Sequence, residues 1–120
     1  MKTQILLIDD DPIINFIHAR LIRKKYPDAS LLAFENGLLG LQHIKSNPEN
    51  TYLIFLDLNM PKMNGWEFLT AVAKEAAEVD LQVHIVTSSV DPEDKNEAKK
   101  HHNVHSYLVK PLKDVDLVHL

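Results

Sequence analysis

The chain has 120 residues, 45% hydrophobic and 25% charged, enough for one soluble domain that builds its core without staples. It has no cysteine, which excludes disulfides and thiolate metal sites. With 13 basic against 17 acidic residues the formal charge is −4, a poor footprint for nucleic acid; no apolar run reaches membrane-spanning length, no signal peptide is evident, and the expected location is the cytoplasm.

Apolar runs alternate with helical stripes. Gln4–Ile8 is a short apolar run closed by three aspartates and predicts a buried strand. Asp11-Pro12 opens a helix, with the carboxylate as cap and proline at the first helical position. Ile13, Ile14, Ile17, Leu21 and Ile22 predict its apolar face, and it should stop before Tyr26-Pro27. Ser30–Phe34 reads as a second strand. A helix follows from about Leu38 to Lys45, in which Gly40 should cost roughly 1 kcal/mol against alanine. Thr51–Leu56 is the most hydrophobic strand and should be buried on both faces.

The segment 57–64 is a loop carrying Pro61, and a helix from Gly65 to about Ala77 should bury Trp66, Leu69, Val72 and Ala73. Gln82–Val86 predicts a fourth strand, and Pro92 to about His101 a helix with few apolar residues. Ser106–Val109 is a short fifth strand and Leu112–Leu120 a short last helix. Strands alternating with helices imply a parallel sheet covered on both faces. Asn36-Gly37 and Asn64-Gly65 are also hairpin signals, but neither lies between two alternating runs.

Polar residues gather at four strand ends: Asp9 and Asp10, Asp57, Thr87 with Ser88, and Lys110. In open α/β sheets the ligand crevice lies beyond those carboxyl ends. Two carboxylates about 4 Å apart repel by roughly 4 kcal/mol at an effective dielectric near 20, so three in one pocket need a compensating charge. Mg²⁺ suits them, because it prefers oxygen, binds through one or two carboxylates and shares phosphates. Lys110 can pair with Asp57 or with an added phosphoryl group, and Thr87 can donate to a phosphoryl oxygen. Such a set supports phosphoryl transfer. Taken singly, each residue has a plainer role: a capped turn, a strand-end aspartate, a loop hydroxyl, a surface lysine. All four roles would have to coincide at four strand ends.

Ile5-Leu6-Leu7-Ile8-Asp9-Asp10-Asp11-Pro12, Leu56-Asp57-Leu58-Asn59-Met60-Pro61 with Asn64-Gly65, Thr87-Ser88 and Lys110-Pro111 together make the sequence resemble the response-regulator receiver domains of two-component systems, over nearly its whole length. The resemblance implies a flavodoxin-like (βα)5 three-layer sandwich with strand order 2-1-3-4-5, residues 1–120 forming one receiver. It implies Asp57 as phosphoacceptor, Asp10 as direct Mg²⁺ ligand, Asp9 as the acid that holds the metal largely through water, and the Asn59 carbonyl as third protein ligand. Thr87 matches the switch hydroxyl, Lys110 the lysine that contacts the phosphoryl group, and the Lys110–Pro111 bond is usually cis in relatives. Tyr107 matches the switch aromatic, with a half-buried core aromatic as the other reading. The implied donor is a histidine kinase or histidine phosphotransfer protein. The implied output is a downstream protein bound through the last two β–α units, with the chain a monomer or weak dimer that engages neither nucleic acid nor membrane.

Two other readings compete. A small haloacid-dehalogenase-like phosphatase would use Asp9 and Asp11, but it leaves Asp57 idle and lacks a later acidic pair, since Asp114 and Asp116 fall in the last helix. A phosphorylation-independent interaction domain would not need every acceptor-site residue. His101, His102 and His105 cluster near a helix end without a cysteine to complete a zinc pattern. His18, His43, His84 and His119 are scattered.

Overall fold

A computed structural model describes residues 2–118. The elements run β1 (Thr3–Ile8), α1 (Pro12–Lys25), β2 (Ser30–Phe34), α2 (Gly37–Ser46), β3 (Thr51–Leu56), α3 (Gly65–Glu75), β4 (Leu81–Thr87), α4 (Pro92–Ala98), β5 (Val104–Val109) and α5 (Asp114–Val118). The five strands form one parallel sheet in the order β2-β1-β3-β4-β5. Among the described residues no helix is long and apolar enough to cross a membrane. The end of the predicted last helix, including His119, lies outside the described residues.

Alternation along the strands divides the core in two. Leu6, Ile8, Ile54, Leu56, Val83 and Ile85 meet α2, α3 and Ala98 of α4 on one face. Ile5, Leu7, Phe55 and Val86 meet Ala19 and Ile22 of α1 and Leu117 of α5 on the other. β3 contributes to both, as its composition predicts. The register aligns Ile8 with Phe34 and Leu56, so β1, β2 and β3 end level, while β4 and β5 run two residues further to Thr87 and Val109. Single backbone bonds then carry the ladder one residue further: Asp9 N–H to the Phe34 carbonyl at 3.0 Å, Asp57 N–H to Ile8 at 2.9 Å, and Lys110 N–H to Thr87 at 2.9 Å. Parallel register is thus what brings acids from separate strands to one rim.

Helix starts follow local chemistry. Asp11 accepts from the N–H groups of Ile13 and Ile14 and caps α1, with Pro12 at the first position. Asn36 caps α2, and Asn64 with Glu67 forms a capping box on α3. Both Asn-Gly pairs therefore begin helices, and neither is a hairpin turn.

The predicted helix faces need correction. On α1 the buried residues are Asn15, His18, Ala19 and Ile22, whereas Ile13 and Ile17 are 68% and 47% exposed. The face is rotated because its members, spaced at i, i+3, i+4 and i+7, include two polar residues. On α3, Phe68, Leu69, Ala71 and Val72 are buried; Trp66 is half-buried and Ala73 faces solvent. α4 ends at Ala98, short of His101, and Ala98 is its one buried residue. α5 begins at Asp114, and Leu112 lies before it, buried in the α1 side of the core. Gly40 is not a simple propensity cost. A Cβ there would sit 2.6 Å from Ile8 Cδ1, so its absence lets α2 approach β1.

His84 of β4 is buried beside Phe55, ring centroids 5.5 Å apart, with Nδ1 2.6 Å from the Ser106 hydroxyl. Burial first, then His105 and Lys25, push its pKa down from 6.5 to about 4. The folded state binds this proton less well than the unfolded chain. Its stabilisation is therefore complete above pH 6.5 and is lost as pH falls toward 4. Acidification to pH 5 should cost about 2 kcal/mol through this residue alone. Chemical denaturation of wild type and His84→Gln at pH 7 and pH 5 should show the smaller pH difference in the variant.

Candidate functional site

The three consecutive aspartates after β1 have separate surroundings. Asp9 is buried; its Oδ1 accepts from the Asp11 N–H at 2.9 Å and its Oδ2 lies 2.7 Å from Lys110 Nζ. Asp10 is exposed at the mouth. Asp11 is spent on the α1 cap. Asp57, at the end of β3, is 4% exposed; its Oδ1 accepts from the Leu58 N–H at 2.9 Å and its Oδ2 lies 3.4 Å from Lys110 Nζ. Carboxylate oxygens of Asp9, Asp10 and Asp57 all lie within 4.8 Å of one another.

The loop that carries Asp57 is held close to α3. The Gly65 N–H donates to the Leu58 carbonyl at 2.9 Å, and a Cβ on Gly65 would meet the Asp57 carbonyl oxygen at 2.6 Å and Leu58 Cα at 2.8 Å. Those obstacles are backbone atoms, so only glycine permits this approach.

Burial raises the Asp57 pKa and Asp9 adds to the rise; attraction to Lys110 and a backbone bond from Asn59 oppose it. Burial alone would lower the Lys110 pKa, but its bond to Asp9 and the charges of Asp57 and Asp9 outweigh that and raise it. The lysine is thus firmly cationic, and among the described residues it is the one ammonium paired with Asp9 and Asp57, beside which the Asp10 carboxylate also lies. The donor set is all oxygen, the acids are too close for their own charge, and the mouth is open at Asp10. These features fit a hard divalent cation such as Mg²⁺.

Thr87 is fully buried at the end of β4, its Oγ1 accepting from the Ser89 N–H at 3.2 Å. It joins the site through its carbonyl, which takes the Lys110 N–H. Tyr107 is half-buried and donates its hydroxyl to the Ser89 carbonyl at 3.0 Å. Ser89 donates in turn to Asp94 Oδ2 at 2.6 Å. Ser89 therefore connects Thr87, Tyr107 and α4. The Lys110–Pro111 bond is cis.

The histidine cluster has other partners. His101 stacks on Trp66, centroids 5.8 Å apart, and lies 3.5 Å from Glu97, while His105 lies 6.3 Å from His84. Asn15 and His18 on α1, which sequence reasoning passed over as site residues, both touch the backbone that carries the site. Asn15 Nδ2 donates to the Asp9 carbonyl at 2.9 Å, and His18 Nε2 accepts from the Leu112 N–H at 3.2 Å. Their spacing with Ala19 and Ile22 was the available signal.

Residues 5–120 match the profile of the response regulator receiver domain. The chain belongs to that family. Among solved structures this receiver is similar to a two-component response regulator from Cytophaga hutchinsonii, at 27% identity and TM-score 0.84 over 99% of this chain and 94% of that one. It is 30% identical over 107 residues to the sensor histidine kinase CheAY of Helicobacter pylori, 89% of this chain and 13% of that protein. It is 28% identical over 116 residues to the two-component response regulator ORR23 of Oryza sativa, 95% of this chain and 16% of that protein. The chain spans 20% of the length of one curated relative from Arabidopsis thaliana and 46% of another from Bacillus subtilis. The strand order, the fold and the receiver family stand as the sequence implied. The haloacid-dehalogenase-like phosphatase is not supported: the family match is to receivers, and Asp11, which that reading needs for chemistry, caps a helix.

Proposed function

We propose that this receiver accepts a phosphoryl group on Asp57 from a phosphohistidine of a partner histidine kinase or phosphotransfer protein. One observation carries the reading. Asp57 is a buried carboxylate flanked by two further acids and faced by a single ammonium, at the rim where the ladder of the parallel sheet ends. Asp57 Oδ2 attacks the phosphorus in line as the phosphorus–nitrogen bond breaks and its electron pair returns to the imidazole. The product is an aspartyl phosphate. Oδ1 is tied to the Leu58 N–H, which fixes the carboxylate plane and leaves Oδ2 as the nucleophile. Lys110 neutralises charge on the transferred group, as positioning and charge compensation dominate this chemistry.

Asp9, Asp10, Asp57 and the Asn59 carbonyl would hold Mg²⁺. When bound it supplies the positive charge that one lysine cannot. An aspartyl phosphate carries roughly −1.5 to −2 charge and new acceptor oxygens. The Thr87 hydroxyl then turns toward them and its bond from the Ser89 N–H loosens. Ser89 also holds Tyr107 and Asp94, so the change spreads into α4 and β5. α4 buries only Ala98 and is lightly anchored to the core. A downstream protein reading the α4–β5–α5 face would sense the difference.

The test uses Mg²⁺ and acetyl phosphate, with intact mass as the readout. One added phosphoryl group is expected, and chelation of the metal should prevent it. Modification that proceeds equally in chelator would count against the mechanism.

A further inference from the structure

α1 buries two polar side chains that none of the chemistry above uses. Asn15 holds the Asp9 carbonyl at 2.9 Å, and His18 Nε2 takes the Leu112 N–H at 3.2 Å. That bond fixes the tautomer: Nε2 is bare and the ring proton sits on Nδ1. The two residues are three apart, so they stack on one face of the helix. One turn of α1 thus grips both the end of β1 and the backbone two residues past Lys110. β1 and β5 are not neighbours, because β3 and β4 lie between them. Three strand spacings separate their ends by roughly 14 Å within the sheet. Yet Lys110 Nζ reaches Asp9 at 2.7 Å and Asp57 at 3.4 Å. The sheet ladder cannot tie the lysine's strand to Asp9 directly, and α1 does.

We propose that His18 is a positioning residue for phosphoryl transfer: by holding the Leu112 N–H it fixes the segment after Lys110, and so aims the ammonium at Asp9 and Asp57. This role rests on the phosphoacceptor reading of Asp57. An apolar side chain would fill the core as well as imidazole does, but it would leave a buried N–H without its acceptor. The chemistry that selects histidine is therefore the bond to Leu112, not volume. Asn15 is the matching grip on the Asp9 side.

His18→Leu removes the acceptor and approximates the volume. His18→Gln brings a side-chain oxygen near the position of Nε2. Three quantities are measured: the rate constant for phosphorylation by acetyl phosphate, Mg²⁺ affinity by calorimetry, and hydrogen exchange of the Leu112 amide in metal-free protein. His18→Leu should slow phosphorylation about tenfold, since small misplacements of a charge-compensating group have effects of this size. Its Mg²⁺ affinity should stay within about twofold, and its Leu112 amide should exchange at least about tenfold faster. His18→Gln should return rate and protection to within about threefold of wild type. A wild-type rate in His18→Leu, or equal impairment in the leucine and glutamine variants, overturns the proposal. Should His18→Leu fail to fold, His18→Gln against His18→Asn makes the same comparison, because the asparagine oxygen falls one bond short; equal rates in that pair overturn it. Wild type that takes no phosphoryl group sinks the phosphoacceptor reading and this role together. A phosphorylated wild type beside an unimpaired His18→Leu sinks this role alone.

Discussion

Asp57→Asn is expected to take up no phosphoryl group under conditions that modify wild type fully, and to be the more stable protein when metal is absent. The first effect follows from the amide, which is no nucleophile toward phosphorus. The second follows from crowding. Three carboxylates share a space where their oxygens lie within 4.8 Å, and the lysine's nearer partner is Asp9, at 2.7 Å against 3.4 Å for Asp57. Asp57 is left as the under-compensated member: burial first and then Asp9 raise its pKa, and Lys110 only partly opposes them. An acid with a raised folded pKa binds protons more tightly when folded, so it lowers stability as pH rises through that range. Asparagine removes this cost. It keeps an oxygen for the Leu58 N–H. Repulsion of roughly 4 kcal/mol per close pair, partly offset by the lysine, leaves a gain of about 2 kcal/mol at neutral pH. Denaturation in chelator at pH 7 measures it, and added Mg²⁺ should narrow the gap by stabilising wild type. A variant less stable than wild type in chelator would contradict the crowding account.

The contrast between what the sequence disclosed and what it concealed has a physical basis. The strands are mostly apolar segments ended by polar residues, a pattern visible without coordinates although His84, His105 and Ser106 interrupt it; β2 and β3 have the predicted bounds, and the others differ by one or two residues. The acids and the lysine were legible because nothing about a strand requires them. The α1 face was not, because the buried stripe contains Asn15 and His18 and so carries no continuous hydrophobic signal. Ile13, Phe16 and Ile17 are apolar yet exposed, so composition pointed to the wrong side. Ala73 misled on α3 for a related reason, since alanine is at home on either face of a helix. The preference of Lys110 for Asp9 was equally hidden. Pairing depends on side-chain reach across three strands, which no local pattern encodes.

Removal of the cation should have the opposite sign to removal of Asp57. Lys110 is the one cation in ion-pair contact with Asp9 and Asp57 among the described residues, and it is largely buried. Lys110→Met keeps the aliphatic stem and deletes the charge. Two buried carboxylates then lose their compensation, and breaking a buried pair from one side costs about 3–5 kcal/mol. The metal-free variant should therefore be strongly destabilised at pH 7. Lowering the pH to a second, acidic value should shrink the loss, because protonating Asp57 discharges the site, and its pKa is already raised in wild type. Mg²⁺ should restore much of the stability, since a divalent charge compensates the same acids. It should not restore the rate of phosphorylation, because the ammonium's place beside the transferred group stays empty. Denaturation with and without Mg²⁺ at both pH values, paired with the mass assay, separates the two jobs of this lysine. Equal stability of Lys110→Met and wild type in chelator would mean that the acids are not held ionised against one another, and the electrostatic basis of the site would fail with it.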